Sequence, residues 1–513
     1  MNRRSFMQVS GVAAFGTLGT RWLGGCATND PAVTAAIDAG VTDSAVLAEV
    51  GAEVGAEVGA ADVWTDANLR STGPWWLQGN YGPVTDEIES TSLEVQGSIP
   101  PELTGTYLRT GPNPTKEDST HWFLGHGMLH GVRLEKGKAV WYRNRWAKTD
   151  LLAGKSQSQP GLPPSILDTQ ANTALVHHAG KVLALYEVAL PFEVTPDLES
   201  KGLWDFGKKL ARPMTAHPKI DPVTGEMYFH GYAALPPYLT LHRVDKAGAL
   251  VSSVEIAVKG ASMMHDFAIT ETRAVFLDLP VIFDLGFALK GQFPYKWSND
   301  YGGRIGVCKR DGDGKDIVWL DVSPCYVFHI LNVYDAGPDQ VVVEGCRVNK
   351  LWVDEPTTIA ESPKLWRWTL DLKTNKVSEG ALGDVNFEFP SVTNSVRGRK
   401  HRFGYGLEPN DSTNGALVTG QIQRLHKFDV TTGNTANWDL GKGRQPDEPF
   451  FVPAAGAKNE DDGWLLSFVY DAASARSELV ILDAAKFSGA PVARITLPRR
   501  VPFGFHGLWV PSA

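Results

Sequence analysis

From near Pro74 to its end, this chain reads as short strands joined by tight polar turns. KVLALYEV (181–188), YLTLHRV (238–244), LVSSVEIAV (250–258), DQVVVEGCRV (339–348), KLWRWTLDL (364–372) and ELVILDA (478–484) are alternating or β-branched runs. Between such runs lie EKGK, DPVTGEM, DLKTNKV, DVTTGNT and DAASARS. Most open on Asp, whose carboxylate caps a turn by accepting from the backbone a few residues on. No long stretch carries a 3.6-residue apolar period, so helices are expected to be few and confined to loops. Roughly 430 residues of short strands and recurrent hairpins fit an all-β fold, a β-propeller of four-stranded blades around a channel. At about 40–50 residues per blade, eight or more blades would fit without insertions, and fewer with long loops. A large β-sandwich array or two β-domains are the alternatives.

Four histidines far apart in sequence place a geometric demand on that fold. His217, His265, His329 and His506 stand in MTAHPK, MMHDFA, YVFHIL and FGFHGL. Around most of them the flanks are apolar or small. A buried imidazole needs partners for its ring nitrogens. One such residue is usually a hydrogen-bonded core histidine. Four raise the alternative of a shared metal, because neutral imidazole is the commonest protein metal ligand and all-nitrogen sites suit iron, zinc, copper or nickel. The chain has no HExxH helix and no CxxC pair. The four converge only if separate structural units each deliver one to a common point. A propeller does this, since the inner strand of every blade starts near the axis.

Composition bounds the partners. Lys+Arg 49 against Asp+Glu 58 gives a net charge of −9, and no basic block with interleaved aromatics is present, so nucleic acid is excluded as an expected partner. Cys308, Cys325 and Cys346 have no close spacing and are expected to be free thiols. The fourth, Cys26, belongs to the first segment. Residues 1–26 have a basic start containing Arg3 and Arg4, a modestly apolar middle, and LGGC ending at Cys26. This is the form of a twin-arginine signal with a lipoprotein-type processing site. The expectation is export as a folded protein to a periplasmic or extracytoplasmic position, anchored at a membrane surface through lipidated Cys26. Residues 27–74 contain the tandem AEVGAEVGAEVGA and few large apolar side chains, and are read as a low-complexity flexible spacer.

The domain at 75–513 resembles the carotenoid cleavage oxygenases over nearly its whole length. GTYLRTGPNP (105–114), HWFLGHGMLHGVRL (121–134), YRNRW (142–146), ANTALVHHAGKVLALYE (171–187), MTAHPKIDPVTGEM (214–227), MMHDFAIT (263–270), YVFHILN (326–332), NFEFP (386–390), EPFFVP (448–453) and PFGFHGLW (502–509) carry the likeness. The resemblance implies a seven-bladed propeller with long loops covering an axial Fe(II) held by His217, His265, His329 and His506. It implies that Glu187, Glu388 and Glu448 stand behind the ligands, and that Thr173 borders the open metal position. A carboxylate in that place accepts the far N–H of an imidazole, fixes its tautomer and makes it more basic. The implied chemistry is cleavage of a C=C bond by O2 into two carbonyl products. The implied substrates are apolar polyenes, carotenoids or apocarotenoids, reached through a long apolar tunnel whose apolar entrance patch also favours a membrane surface.

Two readings compete with carotenoid cleavage. Stilbene-cleaving relatives activate a phenol with a Tyr and a Lys, and the lysine that follows YRNRW here is Lys148. A degenerate propeller would bind apolar ligands without catalysis. The chain departs from the common GDGM phrase by carrying His126 in Gly125-His126-Gly127-Met128. That histidine is either a silent loop change or a fifth group near the metal. His121, His130, His177 and His178 are read as structural or exposed.

Overall fold

The computed structural model describes residues 73–512 apart from 117–118, 160–163, 357–360 and 410–423. The expected signal at 1–26 with Cys26, and nearly all of the 27–74 spacer, lie outside the described residues.

Among the described residues, seven sheets of four or more strands stand around one axis, each built as a run of antiparallel neighbours. We number the blades in chain order from the sheet holding Gly105–Asn113. The inner strands of blades 2 to 6 are Ala174–His178, Lys219–Ile220, Phe267–Ile269, Tyr326–Gly337 and Glu388–Ser391. In blade 7, Arg444–Pro446 and Phe450–Pro453 both pair with Gly463–Asp471. Blade 1 takes its inner strand from the other end of the chain. Gly507–Pro511 pairs antiparallel with Gly105–Asn113, with Gly105 opposite Pro511 and Arg109 opposite Gly507. Glu94–Gly97 in turn pairs with Ala493–Thr496 on the outside of blade 7. The ring is thus stitched at its inner and outer edges by segments distant in sequence, which leaves no open sheet edge between its first and last blades.

The Asp-led turns form as their sequences require. Asp221 Oδ1 accepts from the backbone N–H of Val223 and Thr224, Asp371 Oδ1 from Lys373 and Thr374, and Asp429 Oδ1 from Thr431 and Thr432. Inner and middle strands are buried on both faces because each blade packs between two others. Leu108, Leu129, Leu175 and Val182 join blades 1 and 2, and Leu331, Leu365, Phe387 and Phe428 join blades 5 and 6. Middle strands therefore carry runs of consecutive buried residues, as in Val341–Cys346 of Gln340–Val348. The only α-helix among the described residues is Leu285–Leu289, capped by Asp284, whose side chain accepts from the Phe287 N–H. Cys308, Cys325 and Cys346 are buried free thiols, as their spacing predicts.

Candidate metal centre

One face of the ring collects the starts of the inner strands, and the residues singled out from sequence lie there. Thr173 immediately precedes the inner strand of blade 2, and His217 and His265 stand two residues before those of blades 3 and 4. His329 lies inside the blade 5 strand, where the register with Gln340–Val348 shifts between Val327 and Ile330. Glu388 opens the blade 6 strand, Glu448 lies just before Phe450–Pro453 of blade 7, and His506 directly precedes the closing strand of blade 1. Each blade contributes one. Glu187 follows the second strand of blade 2, Lys181–Leu185, whose end returns to the same face.

The four imidazoles meet on the axis. His217 Nε2 is 2.9 Å from His265 Nε2, which is 3.3 Å from His329 Nε2. The His506 ring centroid is 4.6 Å from that of His217 and 4.8 Å from that of His329. One nitrogen from each of the four lies within 4.8 Å of the others. Behind them, His265 Nδ1 sits 2.6 Å from Glu187 Oε1, His329 Nδ1 sits 2.6 Å from Glu388 Oε2, and His506 Nδ1 sits 2.9 Å from Glu448 Oε1. No carboxylate is paired with His217 among the described residues.

This geometry fits a cation. An Nδ1–H given to a carboxylate leaves Nε2 with a lone pair, so neutral rings would turn lone pairs toward one another at these distances. A divalent metal resolves that repulsion. Metal–nitrogen bonds of about 2.1 Å at right angles place neighbouring nitrogens about 3.0 Å apart, close to the spacings here. Burial and the other three imidazoles hold His217 well below its usual range, and burial with His506 and His265 does the same for His329. Burial is the largest pull on His265 and lowers it, but the Glu187 carboxylate together with Asp266 and Glu388 leaves the group raised.

Two further elements brace the site. Thr173 is buried, its Oγ1 donates to Asn172 Oδ1 at 2.9 Å, and its carbonyl accepts from the His506 N–H at 3.3 Å. Asp266, next to His265, accepts from Lys219 Nζ at 2.7 Å and from the backbone N–H of Phe267 and Ile330 at 2.8 and 2.9 Å. That one carboxylate joins segments adjacent to His217, His265 and His329. Sequence reasoning missed this lock, although a charge inside the apolar phrase MMHDFA was its visible signal. His126 opens the second strand of blade 1, is half-buried, and is not one of the clustered histidines. His121, His130 and His178 are buried, with ring nitrogens bonded to Pro356 O, Tyr142 Oη and Gly225 O.

Residues 81–511 match the family described as retinal pigment epithelial membrane protein. The carotenoid cleavage oxygenase of Mycobacterium tuberculosis is 34% identical over 500 residues, covering 85% of this chain and 97% of that protein. This chain belongs to the carotenoid cleavage oxygenase family. Among solved structures, the oxygenase superposes on the lignostilbene dioxygenase of Pseudomonas brassicacearum with a TM-score of 0.78 at 29% identity, covering 86% of this chain and 99% of the other. It superposes on the cobalt-substituted apocarotenoid oxygenase of Synechocystis with a TM-score of 0.74 at 28% identity, covering 85% and 98%. The family comprises non-haem iron dioxygenases, and the four-histidine group of this oxygenase is compatible with an iron site.

Proposed function

We propose that this oxygenase cleaves one C=C bond of a carotenoid or apocarotenoid with O2, at Fe(II) held by His217, His265, His329 and His506. The convergence of four imidazole nitrogens, with three of the rings backed by carboxylates, carries the reading. Bound iron supplies the redox chemistry that lets O2 react with an alkene. Both oxygen atoms end in the two carbonyl products, so no external reductant is consumed. The chain's own part is to hold the rings, exclude water and position the alkene. Glu187, Glu388 and Glu448 keep the proton on Nδ1 of their histidines. Thr173 borders the open side, its hydroxyl proton committed to Asn172.

Aromatic side chains support an apolar polyene as substrate. Phe328 packs against His265 at 5.4 Å, and Phe389 against His329 and His506 at 5.0 and 5.5 Å. Phe123 extends this wall to Phe328, Trp352 and Phe505. On the helix that leads toward Phe293, Leu285 and Leu289 lie one turn apart and are 56% and 50% exposed. Apolar side chains so displayed suit contact with a membrane holding the substrate. The first 26 residues support export and anchoring at that membrane.

Likeness to a lignostilbene dioxygenase favours a second reading, cleavage of a phenolic stilbene. Lys148 does not strengthen it, because its side chain is exposed. The test is aerobic incubation of the Fe(II)-loaded protein with β-carotene, an apocarotenal, zeaxanthin and resveratrol, with His265→Ala as control. Aldehydes from a polyene, absent in the control, are the expected result. Cleavage of resveratrol alone would move the assignment to stilbenes, and no product from any would overturn both.

A further inference from the structure

The three carboxylates behind the histidines are not held alike. Glu388 and Glu448 come from blades 6 and 7, next to the blades of their partners His329 and His506. Each is also fixed by main chain. Glu388 Oε2 accepts from the Phe389 N–H, and Glu448 Oε2 accepts from the Gly507 N–H at 2.8 Å. Glu187 belongs to blade 2, whereas its partner His265 belongs to blade 4, so the pair meets past the inner edge of blade 3. Its second oxygen is held by a side chain: the Tyr232 hydroxyl donates to Glu187 Oε2 at 2.5 Å.

Tyr232 ends the second strand of blade 3, Met227–Tyr232. The Thr215 N–H donates to the His230 carbonyl, which places that strand end beside His217. Tyr232 therefore fills the gap that Glu187 must span. Its ring is 3% exposed, and burial together with Glu187 raises the hydroxyl well above its usual range, so it remains a donor at any working pH.

We propose that Tyr232 is a positioning residue for the metal, acting through Glu187 on His265. Its O–H fixes the carboxylate rotamer and takes one lone pair, leaving Oε1 beside His265 Nδ1 at 2.6 Å. A hydrogen bond to a carboxylate weakens its pull on the imidazole proton, so Tyr232 sets how basic His265 is toward the metal. This rests on the histidine ligation proposed above.

Co(II) is the probe, because its visible d–d bands report ligand geometry without turnover. Wild type, Tyr232→Phe, Glu187→Gln and the double variant are titrated with Co(II) against a chelator. Tyr142→Phe is the control, since Tyr142 is equally buried and its hydroxyl meets His130 Nδ1 at 2.9 Å, away from the four histidines. Tyr232→Phe is expected to weaken Co(II) binding by about tenfold and shift the bands, the usual scale for groups behind a ligand. Tyr142→Phe is expected to change neither. The double variant is expected to bind no more weakly than Glu187→Gln alone, because both changes cut one path. Unchanged affinity and bands in Tyr232→Phe, additive losses in the double variant, or a Tyr232→Phe chain that fails to fold would each overturn the proposal. A wild type that shows no Co(II) bands would instead overturn the ligation reading, and this one with it.

Discussion

The innermost and outermost strands of the same blades follow different rules. In blade 3 the outer strand Leu250–Glu255 alternates exposed residues with buried or half-buried ones, and in blade 5 the outer strand Lys376–Asn386 holds only exposed and half-buried residues. The inner strands of these blades are, respectively, two residues long and irregular in register. Outer strands have one neighbour and face water, so a period of two is their natural pattern. Inner strands converge on an axis where seven blades meet, and they range from two residues in blade 3 to twelve in blade 5, where the register shifts. The chemistry stands on the irregular side, where departures from strand geometry aim side chains at one point.

Substitutions should break this contrast in proportion to their nearness to the axis. His329→Ala is expected to abolish turnover and remove bound iron, read by product analysis and metal content. Glu388→Gln keeps the shape but alters the proton partner of His329. It should lower metal affinity or activity by about 10–100-fold, measured by chelator competition and steady-state rates.

Farther out, His121 gives an effect of pH on stability. Its Nε2 donates to the Pro356 carbonyl at 2.9 Å and its Nδ1 accepts from the Phe123 N–H at 3.0 Å, so the neutral tautomer is built in. Burial lowers its pKa to about 4. The unfolded chain therefore binds the proton first. The stabilisation is full above the unfolded value near 6.5 and is lost as pH falls toward 4, by about 3 kcal/mol in all. Urea unfolding across that window should show the slope, and His121→Asn, which keeps a donor and an acceptor, should flatten it. At the rim, Val251→Thr on the outer strand of blade 3 is 48% exposed and should change stability by less than about 0.5 kcal/mol, with turnover unchanged.

The same contrast decides what could be read before the structure. The outer and middle strands and their Asp turns were legible because alternation, apolar runs and turn chemistry are local properties. The blade count was not legible from length, and only the family resemblance gave seven. Blade 4 leaves its sheet for a two-stranded excursion, Val281–Phe283 with Tyr295–Trp297, and the helix between them, so dividing length by residues per blade overshoots the seven present. The four histidines were visible as polar residues in apolar phrases. Glu187, Glu388 and Glu448 were not, since a glutamate that finds its partner in another blade carries no local mark, and only family resemblance pointed to them. Tyr232 and Lys219 gave no signal, because their partners are set by the ring and not by neighbouring sequence.

Ring closure also orders events in time. The pairing of Gly105–Asn113 with Gly507–Pro511 joins segments about 400 residues apart, a long-range contact of the kind that slows folding. Until the late strand arrives, Gly105–Asn113 is an unsatisfied edge open to wrong partners. His506 immediately precedes that strand, so the fourth imidazole reaches the axis only as the circle shuts. A nascent chain thus lacks one of the four clustered imidazoles until its ring has closed.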